Sequence, residues 1–175
     1  MDAGERQHLI EVYKGGLAAV EEALVGITEA ELDARSDPTN WTPREVVHHL
    51  ADSETTSAIR LRRLQAEETP LIDAYDEEEF ARRLHYDRPI AADLALFGAV
   101  RRASAELLDR LSEEEWGRQG THSQSGPYGV EDWLRIYAAH GHDHAAQIRQ
   151  ARRRSGDVGT LGDFDSAQNR ESGRT

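Results

Sequence analysis

The sequence predicts an all-α fold, a four-helix bundle with one long crossover. Three observations carry this. Four segments place apolar residues at helical spacing. No segment shows strand alternation, and no internal repeat is evident. The links are unequal: short ones favour antiparallel neighbours, and the long stretch between the second and third segments fits the crossover of this class.

The first segment runs from about Gly4 to Ile27, with Leu9, Val12, Tyr13, Gly16, Leu17, Val20 and Leu24 on one stripe. Asp33 to Asn40 is polar and turn-like. The second segment follows Trp41. Thr42 suits an N-cap, Pro43 suits the first helical position, and Glu45 can close a capping box. Its stripe is Val46, Val47, Leu50, Ser57, Leu61 and Leu64. The crossover spans about Glu67 to Pro89, and its acidic run Asp76 to Glu79 suits one short helix. The third segment runs from about Ala91 to Leu111, through Leu94, Phe97, Val100, Ser104 and Leu107. Ser112 to Trp116 reads as a capped turn, and Gly117 to Gly129 as a loop. The fourth segment begins near Val130 and ends in Arg152-Arg153-Arg154, cations that complement a helix C-terminus. The expected organisation is a metal-binding bundle over 1–154 and a flexible tail over 155–175, rich in Gly, Ser and Asp.

Composition narrows the chemistry. The 175 residues suffice for one domain with a real core. Cysteine is absent, which removes disulfides, thiolate ligands and a cysteine nucleophile. Histidine and carboxylate are the strong ligands left. A net charge of −12 argues against nonspecific nucleic-acid binding. Lys14 is the only lysine, and no site-like residue surrounds it in sequence. No apolar run approaches the roughly 20 residues of a membrane span. The N-terminus lacks the basic-then-apolar order of a signal peptide, so a cytoplasmic protein is expected.

The most informative residues are His49, His140 and His144. His140 and His144 stand four apart, on one face of a helix. With Tyr137 as stripe centre, Trp133, His140, His144 and Ile148 fall within roughly 60° of it, whereas His142 falls about 140° away, toward solvent. With Leu50 as centre, His49 lies about 100° off, at the edge of the buried face, and His48 near 160°. Two imidazoles at i and i+4 can grip one divalent ion, and a third from another helix leaves positions open, the pattern of a catalytic centre. The bland alternative is that each buried histidine hydrogen-bonds a neighbouring side chain. Glu54 lies about 40° from Leu50, inside the stripe, and a carboxylate there needs a partner. It can orient a ligand histidine, act as a base, or pair with an arginine such as Arg101. His122 is a second catalytic candidate, for substrate contact or proton transfer, with plain surface exposure as the alternative.

The stretches Trp41-Thr42-Pro43-Arg44-Glu45-Val46-Val47-His48-His49-Leu50-Ala51-Asp52-Ser53-Glu54 and Tyr137 to Ile148 resemble the DinB-like superfamily of bacterial four-helix metal-binding proteins. Glu68 to Glu77 looks like the crossover of the branch that holds proposed metal-dependent hydrolases and bacillithiol S-transferases. The likeness covers roughly Leu9 to Arg152. It implies His49, His140 and His144 as ligands of a divalent ion, often zinc or nickel. It also implies a small thiol, bacillithiol- or mycothiol-like, that would be activated there to attack an electrophile. Glu54 and Gln147 depart from relatives that carry histidine at those places.

The expected activity is therefore metal-dependent thiol transfer to small electrophiles, as in detoxification. Metal-dependent hydrolysis and a non-enzymatic metal-binding stress-response bundle are the alternatives. The expected partners are a thiol and an electrophile, with no nucleic acid and no membrane, and a homodimer is left open. A pocket containing His122, Tyr128 or arginines would favour an anionic thiol.

Overall fold

The computed structural model describes residues 1–168, with side chains described through Arg153. Its elements are α1 (Ala3–Leu24), α2 (Glu29–Leu32), α3 (Pro43–Ala66), β1 (Leu71–Ile72), α4 (Glu77–Arg83), α5 (Ala91–Leu108), α6 (Glu113–Trp116), β2 (Gln119–His122), β3 (Gly126–Gly129) and α7 (Val130–Gln168). Four long helices form the bundle: α1 packs on α5 and α7, and α3 packs on the same two.

Local chemistry sets the boundaries. Thr42 accepts from the Glu45 amide while Glu45 reaches back, so the capping box with Pro43 starts α3 where the sequence places it. Gly26, at φ 65°, lets the chain turn out of α1. Thr28 and Ser112 head two further capping boxes, on α2 and α6. Asp76 caps α4 through the Glu79 amide, so the acidic run is a helix start.

Two expectations are corrected. The segment read as a loop between Gly117 and Gly129 contains a hairpin, β2 against β3, turned by Gly126 at φ 81°. β1 joins β2 in parallel, Leu71 opposite Thr121, which ties the crossover to the hairpin. Strands of two to four residues are too short to show a period, which is why alternation does not reveal them. The fourth helix also continues to Gln168 and does not stop at Arg154. No proline follows Arg154, and helix propagation past an established turn is easy. The expected tail falls partly on this extension, and its residues 169–175 lie outside the described residues.

The core has two apolar halves. One gathers Ile10, Leu61, Leu64, Leu108, Trp133 and Leu134. The other gathers Val20, Val46, Leu50, Phe97, Ala145 and Ile148. The buried polar side chains Ser53, Glu54 and Ser57 on α3 and Arg101 and Ser104 on α5 form a layer of their own, with Gly16 on α1 and Gly141 on α7 against Arg101. A Cβ at Gly16 or Gly141 would collide with the Arg101 guanidinium, so these glycines make the slot it occupies. The candidate site lies at this level.

Candidate metal centre

α3 contributes His49, and one further turn of α7 contributes His140 and His144. Their Nε2 atoms converge. The Nε2 of His140 is 3.4 Å from that of His49 and 3.2 Å from that of His144. One nitrogen from each ring lies within 4.8 Å of the others. Two nitrogens each roughly 2.0–2.1 Å from one zinc ion, at a tetrahedral angle, stand about 3.3–3.4 Å apart. The observed spacing fits a single ion between the three rings. His49 is buried, whereas His140 and His144 are half-buried, so one side of the cluster faces outward.

Neighbouring groups hold the rings. Trp41 packs on His49 at 4.5 Å between ring centres, and Tyr137 meets His140 edge-on at 5.8 Å. Nδ1 of His144 lies 2.8 Å from the Gln147 side-chain oxygen. Donation from Nδ1–H to that oxygen leaves the Nε2 lone pair pointing at the cluster. Nδ1 of His49 and of His140 have no protein partner. Among the described residues Gln147 is thus the one side chain that hydrogen-bonds the Nδ1 of a triad ring. Gln147→Leu is expected to weaken zinc binding about 10–100-fold, the usual cost of removing such a support, at unchanged helix content. Calorimetric zinc titration beside far-ultraviolet circular dichroism reads both.

The electrostatics favour neutral rings. Burial pushes His49 down to about 3, with the His144 charge adding to it. Burial pushes His140 down to about 2, helped by His144, His49 and Arg101. Burial also lowers His144, against the opposing pull of Gln147. All three therefore present lone pairs at neutral pH. An unfolded imidazole takes up a proton below about 6.5, while these folded rings refuse it. The metal-free protein keeps its full stability above that pH and loses it as the pH falls toward the lowered values. The expected slope is about 1.4 kcal/mol per pH unit for each such histidine. Denaturant titrations of metal-free protein from pH 7 to pH 5 check this, and His49→Gln should reduce the slope.

The other histidines are placed differently. The helical wheel sets His48 opposite the core, yet it is fully buried. Its Nδ1 lies 2.6 Å from Asp93 and its Nε2 3.0 Å from the Arg88 carbonyl. The start of α5 and the end of the crossover cover that side of α3, and a wheel drawn on one helix does not show them. His142, expected toward solvent, is half-buried with Nε2 2.9 Å from the Val12 carbonyl, because α1 packs there.

The two catalytic candidates lie outside the cluster of ligand nitrogens. Glu54 is fully buried and accepts a hydrogen bond from the Tyr13 hydroxyl. Its other oxygen is 3.7 Å from Nε of Arg101. Of the three roles open to it in the sequence, the arginine pairing is the contact observed. Arg101 also donates to the Tyr137 carbonyl at 2.5 Å and stacks on Tyr13 at 4.1 Å. His122 sits on β2, half-buried, where its Nδ1 accepts from the Gln124 and Ser125 amides at 3.3 Å. Its ring faces Tyr128 at 5.7 Å. Burial lowers its pKa, and Arg60 nearby lowers it further.

Sequence reasoning passes over Arg60, Tyr75 and Trp41 as site neighbours. Their signal is weak because each reaches the site from a different element. Gln147 is visible as the residue three past His144, but its role depends on which ring nitrogen faces it.

Among the described residues no helix is long and apolar enough to cross a membrane. Comparison with known proteins gives consistent relatives. A protein of Oceanobacillus iheyensis, whose name proposes a metal-dependent hydrolase, is 36% identical over 129 residues, covering 74% of this chain and 75% of its own. YfiT of Bacillus subtilis, named in the same way, is 31% identical over 154 residues, covering 87% and 86%. The solved structure of YfiT, described as a probable metal-dependent hydrolase with an unusual four-helix bundle topology, superposes with a TM-score of 0.83 at 30% identity, covering 89% of this chain and 90% of that one. The family model of the DinB superfamily matches residues 13–148, which span α3, the crossover and all three clustered histidines, and the chain belongs to that superfamily.

Proposed function

We propose that this protein is a metal-dependent enzyme that transfers a small thiol, of the bacillithiol or mycothiol type, to an electrophile. The observation that carries the proposal is the convergence of three imidazole nitrogens on one point, with two of the three rings half-buried. A divalent ion bound there, zinc or nickel, supplies the Lewis acidity that lets a thiol lose its proton near neutral pH. The chain's part is to hold the rings: Trp41 packs on His49, Tyr137 on His140, and Gln147 fixes His144. A thiol, ordinarily near pKa 8.5, needs only a modest shift to ionise. Water needs a far larger one and gains from a general base. Glu54, the buried carboxylate nearest in sequence to His49, is already engaged by Tyr13 and Arg101. That favours thiol over water as nucleophile. The chain has no cysteine, so the thiol arrives as substrate.

The names of the relatives favour a second reading, hydrolysis at the same centre. One set of assays separates the two. Zinc- or nickel-loaded protein is mixed with bacillithiol or mycothiol and monochlorobimane. The sulfur–carbon bond forms as the carbon–chlorine bond breaks, and a proton and chloride leave to solvent. The expected result is a rate well above that of the ion alone, lost on chelation and unaffected by cysteine-blocking reagents applied to the protein. Inert thiol mixtures beside active ester, amide or lactone panels would establish the hydrolase. Silence in both, with the ion sealed from solvent, would make the protein a binding bundle.

A further inference from the structure

Beside the triad, on the Tyr137 side, lies a cluster that the metal chemistry does not use. Its hub is Arg60 on α3. One guanidinium nitrogen donates to the Tyr137 hydroxyl at 3.3 Å, and another to the Asp73 carbonyl at 2.6 Å. Tyr137 is the residue whose ring meets His140, so one aromatic ring separates Arg60 from the candidate metal centre. Among the described residues no carboxylate forms an ion pair with Arg60. Glu77 acts on it through space but makes no ion-pair contact.

Three buried polar atoms around this hub have no partner: Nε of Arg60, the hydroxyl of Tyr75 and the hydroxyl of Tyr128. Arg60 lies over the Tyr75 ring at 5.8 Å. Ser53 lies close enough to the Tyr75 oxygen to lower its pKa as a donor, and the Tyr75 O–H itself has no acceptor. Tyr128, on β3, feels both Arg60 and Tyr137 and is buried in the core half that holds Trp133 and Tyr137 of α7. Burial raises both phenols, Tyr75 to about 12, so each keeps its proton and can only gain by donating it. Unsatisfied buried donors are costly and uncommon in a folded protein. Here two of them stand beside a cation that forms no ion pair among the described residues, the third is that cation's own Nε, and Arg60, Tyr75 and His122 are all half-buried.

We propose that Arg60, with the Tyr75 and Tyr128 hydroxyls, is a subsite for a carboxylate carried by the small molecule that reacts at the triad. A planar guanidinium matches a carboxylate, and two phenolic donors complete the oxygen's shell. The subsite rests on the reading of the triad as an open metal centre and adds a substrate class to it: molecules with a carboxylate at a fixed reach from the reacting atom. The elements also make sense of the crossover. β1 pairing with β2 brings Tyr75 and the hairpin's Tyr128 to the same end of α3 as Arg60.

The test uses cobalt-loaded full-length protein and ω-mercaptocarboxylic acids of increasing chain length, each beside its methyl ester. Sulfur binding is read from the cobalt absorption spectrum. The expected result is an optimum chain length at which the acid binds about tenfold or more tightly than its ester. Arg60→Gln should erase that preference by lowering the acid's affinity to the level of its ester. Tyr128→Phe, which removes only the hydroxyl oxygen, should reduce the preference severalfold. Equal binding of acid and ester at every length overturns the subsite, as does a preference that survives Arg60→Gln. If no thiol of either kind perturbs the cobalt spectrum, the thiol reading fails by itself. The subsite is then decided by calorimetry with hexanoate on zinc-loaded parent and Arg60→Gln protein: binding lost in the variant supports it, and equal or absent binding overturns it.

Discussion

His144→Ala is expected to lower zinc affinity about a hundred- to thousandfold and to leave the helix content intact. The magnitude follows from roughly 10–16 kcal/mol for a full four-ligand zinc site, of which one ligand is a quarter. His144 stands 3.2 Å from the His140 nitrogen and carries the Gln147 bond, so its removal takes both a ligand and its support. The fold does not depend on it. Two apolar core halves lie on either side of the site and do not include the ring. Calorimetric metal titration and far-ultraviolet circular dichroism are the measurements. Loss of both metal and helix in the variant would make the centre structural.

The second large effect is expected one layer deeper. Arg101→Leu should destabilise the protein by about 3–5 kcal/mol, because Glu54 then keeps a buried charge with only the Tyr13 hydroxyl beside it. The double change Glu54→Leu with Arg101→Leu should recover a large share, since the stranded charge goes too. The pH dependence has a definite sign. Burial already raises the Glu54 carboxyl, with Arg101 opposing the rise. Without Arg101 it rises further above its unfolded value, so the folded variant binds the extra proton as pH falls. The deficit of the variant therefore shrinks toward acid and grows as pH rises through the raised value. Denaturant midpoints across pH 5–8 for parent, single and double variants test all three statements.

These residues show what the chain discloses before it folds. The four long helices are legible because each buries one stripe, and a stripe is a property of one segment. The triad is legible for the same reason: His140 and His144 share a face by spacing alone, and His49 sits near the stripe of α3. What one helix cannot disclose is what covers its other side. His48 looks exposed on the wheel of α3 and is buried under Asp93 and the Arg88 carbonyl. Glu54 shows that it needs a partner, and Arg101 could be named as one, but Tyr13 on α1 is found only through packing. Strands of two to four residues carry too few positions for any pattern, so the pairing that draws Tyr75 and Tyr128 together is invisible beforehand.

The placement of the triad also has a consequence for how the chain reaches its native state. His140 and His144 are one helical turn apart, so that pair is complete as soon as α7 coils. His49 joins them across 91 positions of chain. Closing a flexible loop of that length costs about 4 kcal/mol, plus a constant, in chain entropy. An ion that meets the refolding chain early therefore finds a bidentate site. It gains its third imidazole only when α3 docks on α7. Chelation strength during refolding is thus a clock for long-range helix docking, ticking separately from helix formation. The order in which ion affinity and helical signal appear distinguishes a chain that coils first from one that collapses first.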